Sequence, residues 1–249
     1  MMRPVLVPFA AIAALAASGA AAHAQTSGDG YLFGRPRVTL TVRGGYDRPF
    51  AQGGLFDDAV NQLTLGRSAF AGGAIHGELA FALGRRLDLA LMGGFASAAR
   101  GSEYRRFVDE ANDSPITQTT RLRRAPVGVG LKAYLAPRGR EIGRFAWIPA
   151  RVSPFVGVGG GAVYYRYGQQ GSFVDFRDLQ VIDGEVRSSG WAPAGFASAG
   201  TDWSLSPRFV LSGELRYTAA RGTLSGDFAP YDRINLSGAA ANVGLGVRF

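Results

Sequence analysis

His76 and Glu78 stand two residues apart in an alternating stretch, so both side chains leave the same face of a strand. An imidazole beside a carboxylate can be a general base with its orienting partner. The competing reading makes the pair part of an interior polar network. A metal centre is not expected, because the chain has no cysteine and one of its two histidines, His23, lies in the leading segment. Arginines form a second group: Arg100, Arg105 and Arg106 in one polar connection, with Arg121, Arg123 and Arg124 shortly after. Guanidinium forks suit phosphate oxygens. Glu103, Asp109, Glu110 and Asp113 offer the alternative of an ordinary solvated loop. Gly157, Gly159, Gly160 and Gly161 resemble a phosphate loop only superficially, since Tyr164, Tyr165 and Tyr167 continue a strand rather than open a helix. Tight curvature explains those glycines better, and no catalytic group or cofactor is expected.

The elements that carry these residues follow a period of two. Alternation predicts strands over 37–46, 68–83, 87–98, 119–135, 152–167, 188–205 and 209–220, and a last one from about 234 to 249. Val38, Leu40 and Val42 oppose Thr39, Thr41 and Arg43 in the first strand. Ile75, Leu79 and Phe81 oppose His76 and Glu78 in the second. The stretch 152–167 is apolar on both faces, and its phase is left open. Short turns at 84–86 and 206–208 contrast with long polar connections at 47–67, 99–118, 168–187 and 221–233. The segment 136–151 falls on the short-turn side yet is long, with Phe145, Trp147 and Ile148 among Arg138, Arg140 and Arg144. It reads either as an interfacial flap with one helical turn or as an extension of the fifth strand.

Met1, Met2 and Arg3 precede an apolar Ala-rich run ending at Ala22-His23-Ala24, the layout of a cleaved signal peptide over 1–24. A short N-terminal segment, 25–36, then leads into a barrel over 37–249. No later stretch is long and apolar enough for a membrane helix. The formal net charge of +8, carried almost wholly by arginine, suits anionic lipid, and export argues against nucleic acid. The 36 glycines and 16 phenylalanines are residue types that barrels use for bends and interface girdles.

Long loops on one side and short turns on the other point to an all-β, eight-stranded, antiparallel up-and-down transmembrane barrel. A soluble barrel or sandwich would leave Glu78, Asp88, Lys132, Glu214 and Arg216 outside. Inward positions collect His76, Glu78, Asp88, Lys132, Asp202, Glu214, Arg216 and Arg248, with Arg166 undecided; eight strands leave room inside for side chains only. The terminal Val243, Leu245, Val247 and Phe249, taken with the alternation, resembles the small bacterial outer-membrane β-barrels, the OmpA-barrel, OmpX and OmpW-like group. That resemblance implies residence in the outer membrane and recognition of the closing strand by the barrel assembly machinery. It also makes lipopolysaccharide the phosphate source for the six arginines. No peptidoglycan-binding domain follows the barrel. A monomeric, non-enzymatic protein with a structural or surface-interaction role is the expectation. A narrow channel for small or hydrophobic solutes is the alternative, and a lipid A-modifying enzyme the third. Outer-membrane lipid A deacylases use a Ser-His-Glu group, but no matching His-x-Ser element is present here.

Overall fold

The computed structural model describes residues 30–109, 113–143, 145–174, 180–231 and 233–249. The expected signal peptide, residues 25–29, Glu110 and Arg144 lie outside the described residues. The elements in chain order are β1 (Leu32–Phe33), β2 (Val38–Pro49), α1 (Gly54–Gln62), β3 (Gly72–Ala82), β4 (Leu87–Asp109), β5 (Ser114–Tyr134), β6 (Gly139–Ile142) and β7 (Ala146–Pro149). They continue with β8 (Val152–Val174), β9 (Val181–Ser204), β10 (Phe209–Thr223), β11 (Arg233–Asn235) and β12 (Gly238–Arg248).

Eight strands close into an antiparallel barrel in the order β2, β3, β4, β5, β8, β9, β10, β12. The closing register pairs Val247 with Leu40 and Val243 with Gly44. Phe249 completes it: its N–H donates to the Val38 carbonyl at 2.8 Å, and its own carbonyl accepts from Arg37 and Val38 at 2.8 and 3.2 Å. Closure leaves none of these eight strands as a free edge along its paired length.

Two of the expected long connections are not loops. Residues 99–118 and 168–187 mostly continue the β4–β5 and β8–β9 ladders, with pairs such as Arg100 with Thr120 and Phe173 with Ile182. Beyond the apolar belt the positions these ribbons bury are mostly polar, such as Ser102 and Gln118 beside Ile116, so the hydrophobic alternation that betrays a half-buried strand fades. The second strand begins at Gly72 rather than 68, because Arg67–Phe70 form a 3₁₀ turn. The last begins at Gly238, with the short β11 pairing separately with β10.

The segment 136–151 is neither a helical turn nor an extension of the fifth strand. It forms the β6–β7 hairpin, turning at Gly143 with φ of +63°, where a side chain would be strained. β1 adds to this hairpin, pairing Leu32 with Trp147, and the three-stranded sheet lies at the short-turn end. The N-terminal segment is therefore tied down.

At the opposite end, α1 and the connections around it fold inward. Leu55, Phe56 and Ala59 of the helix pack with Phe70, Leu122, Tyr165, Tyr167, Phe228, Ile234 and Leu236. Phe56 meets Phe70 edge-on at 4.8 Å and Tyr167 at 6.0 Å; Tyr167 meets Phe228 at 5.1 Å. This apolar cap fills that end of the barrel. The Tyr231 hydroxyl beside it donates to Asp58, and burial together with the Asp58 charge pushes this phenol up to about 12.

Candidate functional site

The inside of the barrel is polar because every second residue of each strand faces it. The structure buries all of His76, Glu78, Asp88, Lys132, Asp202, Glu214, Arg216 and Arg248 there. It adds Arg43, which is 1% exposed and which shares its face with Thr39 and Thr41. Arg43 grips Glu78 through two nitrogens at 3.0 and 3.3 Å and lies 3.7 Å from Glu214, which pairs with Arg216 at 2.7 Å. Lys132 bridges Glu78 and Asp202, both at 3.3 Å, with its Nζ 3.8 Å from the centre of the Phe155 ring. Tyr134 and Ser212 donate to the two oxygens of Asp202 at 2.9 and 2.7 Å. Three cations thus face three carboxylates. Buried charges persist only when paired in this way.

Two further pairs flank this network. Arg138, which the inward set omitted, holds Asp88 at 2.8 and 2.9 Å toward the short-turn end. Arg124 holds Asp47 at 3.0 Å below the apolar cap. Between network and cap, Phe196 lies over inward-facing Gly128, Gly130 and Gly159. A Cβ on Gly159 would come within 2.3 Å of that ring. The glycines of β8 therefore give room to an aromatic plate, and the phase of β8 is settled by Phe155, Val163, Tyr165 and Tyr167 facing inward. Arg166, undecided from alternation, faces out.

His76 and Glu78 do not form a base and orienter. The Glu78 carboxylate is occupied by Arg43 and Lys132, and among the described residues neither imidazole nitrogen has a hydrogen-bond partner. Among the described residues no group of three or more metal-ligating side chains occurs.

The arginine cluster separates into four environments. Arg124 is a correction: it is 7% exposed and points inward, out of reach of any ligand on the barrel's outside. Alternation within β5 sends Arg121 and Arg123 outward and Arg124 inward. Arg105 donates to the carbonyls of Val60 and Leu65, fastening the helix-bearing connection to β4. Arg100 and Arg106 are exposed on the upper part of β4. Arg121 and Arg123 remain, joined by Arg166 of β8 and Arg187 of β9 along one shallow groove that also includes Glu185. Arg166 and Arg187 were missed because they lie far along the chain; pairing of Arg123 with Arg166 brings them together.

The outer face between the ends is apolar. Val42, Ile75, Leu91, Val129, Leu131, Val158, Leu215, Val243 and Leu245 all expose their side chains, and Phe249 is 54% exposed. On β9, Trp191 and Trp203 are 60% and 38% exposed, and Pro193, Gly195, Ala197, Ala199 and Thr201 stand between them on the same face. Twelve residues correspond to roughly 40 Å along a strand, or roughly 30 Å along the axis of a barrel tilted by about 40°. Tyr164 packs on Trp191 at 5.3 Å, and Phe95 is exposed at a similar level on β4. Arg123 and Arg166 stand one outward position above Tyr164, on adjacent strands.

Fold and site together define a closed antiparallel barrel with an apolar, aromatic-rimmed exterior and a charge-paired interior. Solved structures similar to the chain are small bacterial outer-membrane β-barrels. OprG from Pseudomonas aeruginosa is 14% identical with a TM-score of 0.47, over 87% of this chain and 98% of that one. Neisserial surface protein A is 9% identical with a TM-score of 0.44, over 85% and 96%. A major outer membrane protein from Thermus thermophilus is 12% identical with a TM-score of 0.44, over 85% and 99%. No protein-family model and no curated protein sequence matches the chain.

Proposed function

We propose that the protein is an integral barrel of the bacterial outer membrane, non-enzymatic and closed, with a structural or surface-interaction role. The observation that carries this is the uninterrupted apolar exterior between two aromatic levels, whose roughly 30 Å spacing suits the hydrocarbon core of a bilayer. Water would leave that belt uncovered; lipid covers it at no cost to the paired interior. Residues 1–24 serve as the export signal, and the strand ending at Phe249 as the assembly signal. The end bearing the ribbons and the cap faces outward from the cell.

Arg121, Arg123, Arg166 and Arg187 then fall just above the upper aromatic level, at the height of lipid phosphates. Fork-shaped donors on three neighbouring strands suit the phosphates of lipopolysaccharide. The ion-paired network and the apolar cap stand in series along the axis, which supports a closed barrel over a channel. The unmade His76–Glu78 contact speaks against the lipid-enzyme reading.

Fractionation of cells, with boiled and unboiled samples compared on a gel, tests this. A heat-modifiable band in the outer-membrane fraction is expected. Recovery as a soluble periplasmic protein overturns the reading.

A further inference from the structure

The end of the barrel opposite the cap holds a half-open cavity of about 600 Å³ between the three-stranded sheet and the rim. Arg35, Arg85, Arg138, Arg140 and Arg248 line it, against Glu141 as the one lining carboxylate. These arginines differ in what they already hold. Arg138 is committed to Asp88. Arg248 donates to Ser204 at 2.9 Å and lies 5.5 Å from the centre of the Trp147 ring. Arg85 reaches Glu141 at 3.5 Å, a contact between exposed side chains.

Arg35 and Arg140 form no ion pair among the described residues, and Nη2 of Arg35 is buried without a hydrogen-bond partner. Burial, then the charge of Arg138, lowers the proton affinity of Arg35 below its ordinary value. A buried donor left unmade costs free energy that an arriving acceptor recovers. The cavity is thus short of negative charge at a defined place. Its volume exceeds what one inorganic anion fills and falls in the range of small-molecule sites. Trp147 and the prolines beside it supply a surface for an organic body.

We propose that this cavity binds a phosphate ester, the phosphate oxygens bridging Arg35 and Arg140 and the organic part resting against the Trp147 side. A dianion with three acceptor oxygens matches two guanidinium forks. The proposal requires the barrel but not its membrane placement, so its failure leaves the envelope reading intact.

The test is calorimetric titration of the detergent-extracted full barrel with inorganic phosphate and with a hexose phosphate. The hexose phosphate should bind, and the double variant Arg35→Ala/Arg140→Ala should weaken it at least about tenfold while keeping the unboiled gel mobility of a folded barrel. Arg140→Gln alone, at an exposed position, gives the same direction should the double variant fail to fold. Arg221→Gln/Arg233→Gln, exposed at the other end, should leave binding unchanged. Equal affinity for both probes keeps the site and assigns it to free phosphate. No binding of either probe, or wild-type binding by a folded double variant, overturns the proposal.

Discussion

Arg43 and Glu78 meet as a fork at 3.0 and 3.3 Å on adjacent strands, β2 and β3, where both side chains are almost wholly enclosed. Glu78 also receives Lys132, so one carboxylate serves two cations. Glu78→Leu leaves both cations short of charge and should destabilise the barrel by about 3–5 kcal/mol. The double variant Glu78→Leu/Lys132→Leu restores the balance of signs and should recover about 1–3 kcal/mol of that loss. Urea unfolding in lipid or detergent measures both. Additive losses would mean that the two residues do not communicate.

Lys132 is the only lysine of the chain, and it is 5% exposed inside the barrel. An amine-reactive label should therefore modify the amino terminus of the folded protein and leave Lys132 untouched until denaturant is added. Rapid labelling of Lys132 in the folded state would place the strand face the other way round. Mass spectrometry of the digest distinguishes the two sites.

The outward arginine strip offers a test that spares the fold. Arg123→Glu/Arg166→Glu reverses charge on two exposed side chains paired across β5 and β8. Binding of lipopolysaccharide by the purified barrel should fall at least about tenfold, with a weaker dependence on salt left behind. Arg124→Gln should instead lower stability, because it deprives Asp47 of its partner at 3.0 Å. A stable Arg124→Gln barrel with weakened lipopolysaccharide binding would contradict the inward placement.

Phe56 anchors the cap through Phe70 and Tyr167. Phe56→Ala should loosen the cap by about 3–5 kcal/mol, the usual cost of emptying a buried aromatic site. Trypsin cleavage after Arg67, a half-exposed side chain, should accelerate while the unboiled gel mobility stays that of the closed barrel. Unchanged cleavage would show that other contacts hold the cap.

Tyr231 should titrate above the ordinary tyrosine range. Its folded value of about 12 lies above the ordinary value of about 10. The folded state therefore keeps a proton that the unfolded chain releases, so this contribution to stability is complete below pH about 10 and is lost as the pH rises toward 12. Asp58→Asn should bring the phenol down toward its ordinary value, and Tyr231→Phe should remove the step from the tyrosinate absorbance titration. A titration curve indifferent to Asp58 would break the proposed contact.

Much of this architecture was legible because period-two patterns carry their own geometry. Parity alone sends Glu78, Asp88, Lys132 and Glu214 to one side, and it applied equally to Arg43, three positions after Leu40 on the polar face. Where proximity in the chain replaced parity the reading failed, as at Arg124 beside Arg123. Strand β8 withheld its phase because glycine has no side chain to report a face; Phe196, on another strand, occupies the space those glycines leave. The ribbons lay hidden for a different reason. Their buried positions carry polar side chains such as Ser102 and Gln118, so no apolar stripe marked them.

The pairing of Leu32 with Trp147 had no local signal at all, and it bears on how the barrel assembles. β2 follows β1 in the chain, whereas the β6–β7 hairpin connects β5 to β8, across the ring from β2. Residues 34–37 therefore run beneath the mouth from one wall to the other. A segment that short spans the mouth once the sheet has curled round, so docking of β1 is expected late, after the ring has curved. A fluorescent pair on Phe33 and Ala146 would thus act as a clock for closure, dark through early strand pairing and bright once the ring is whole.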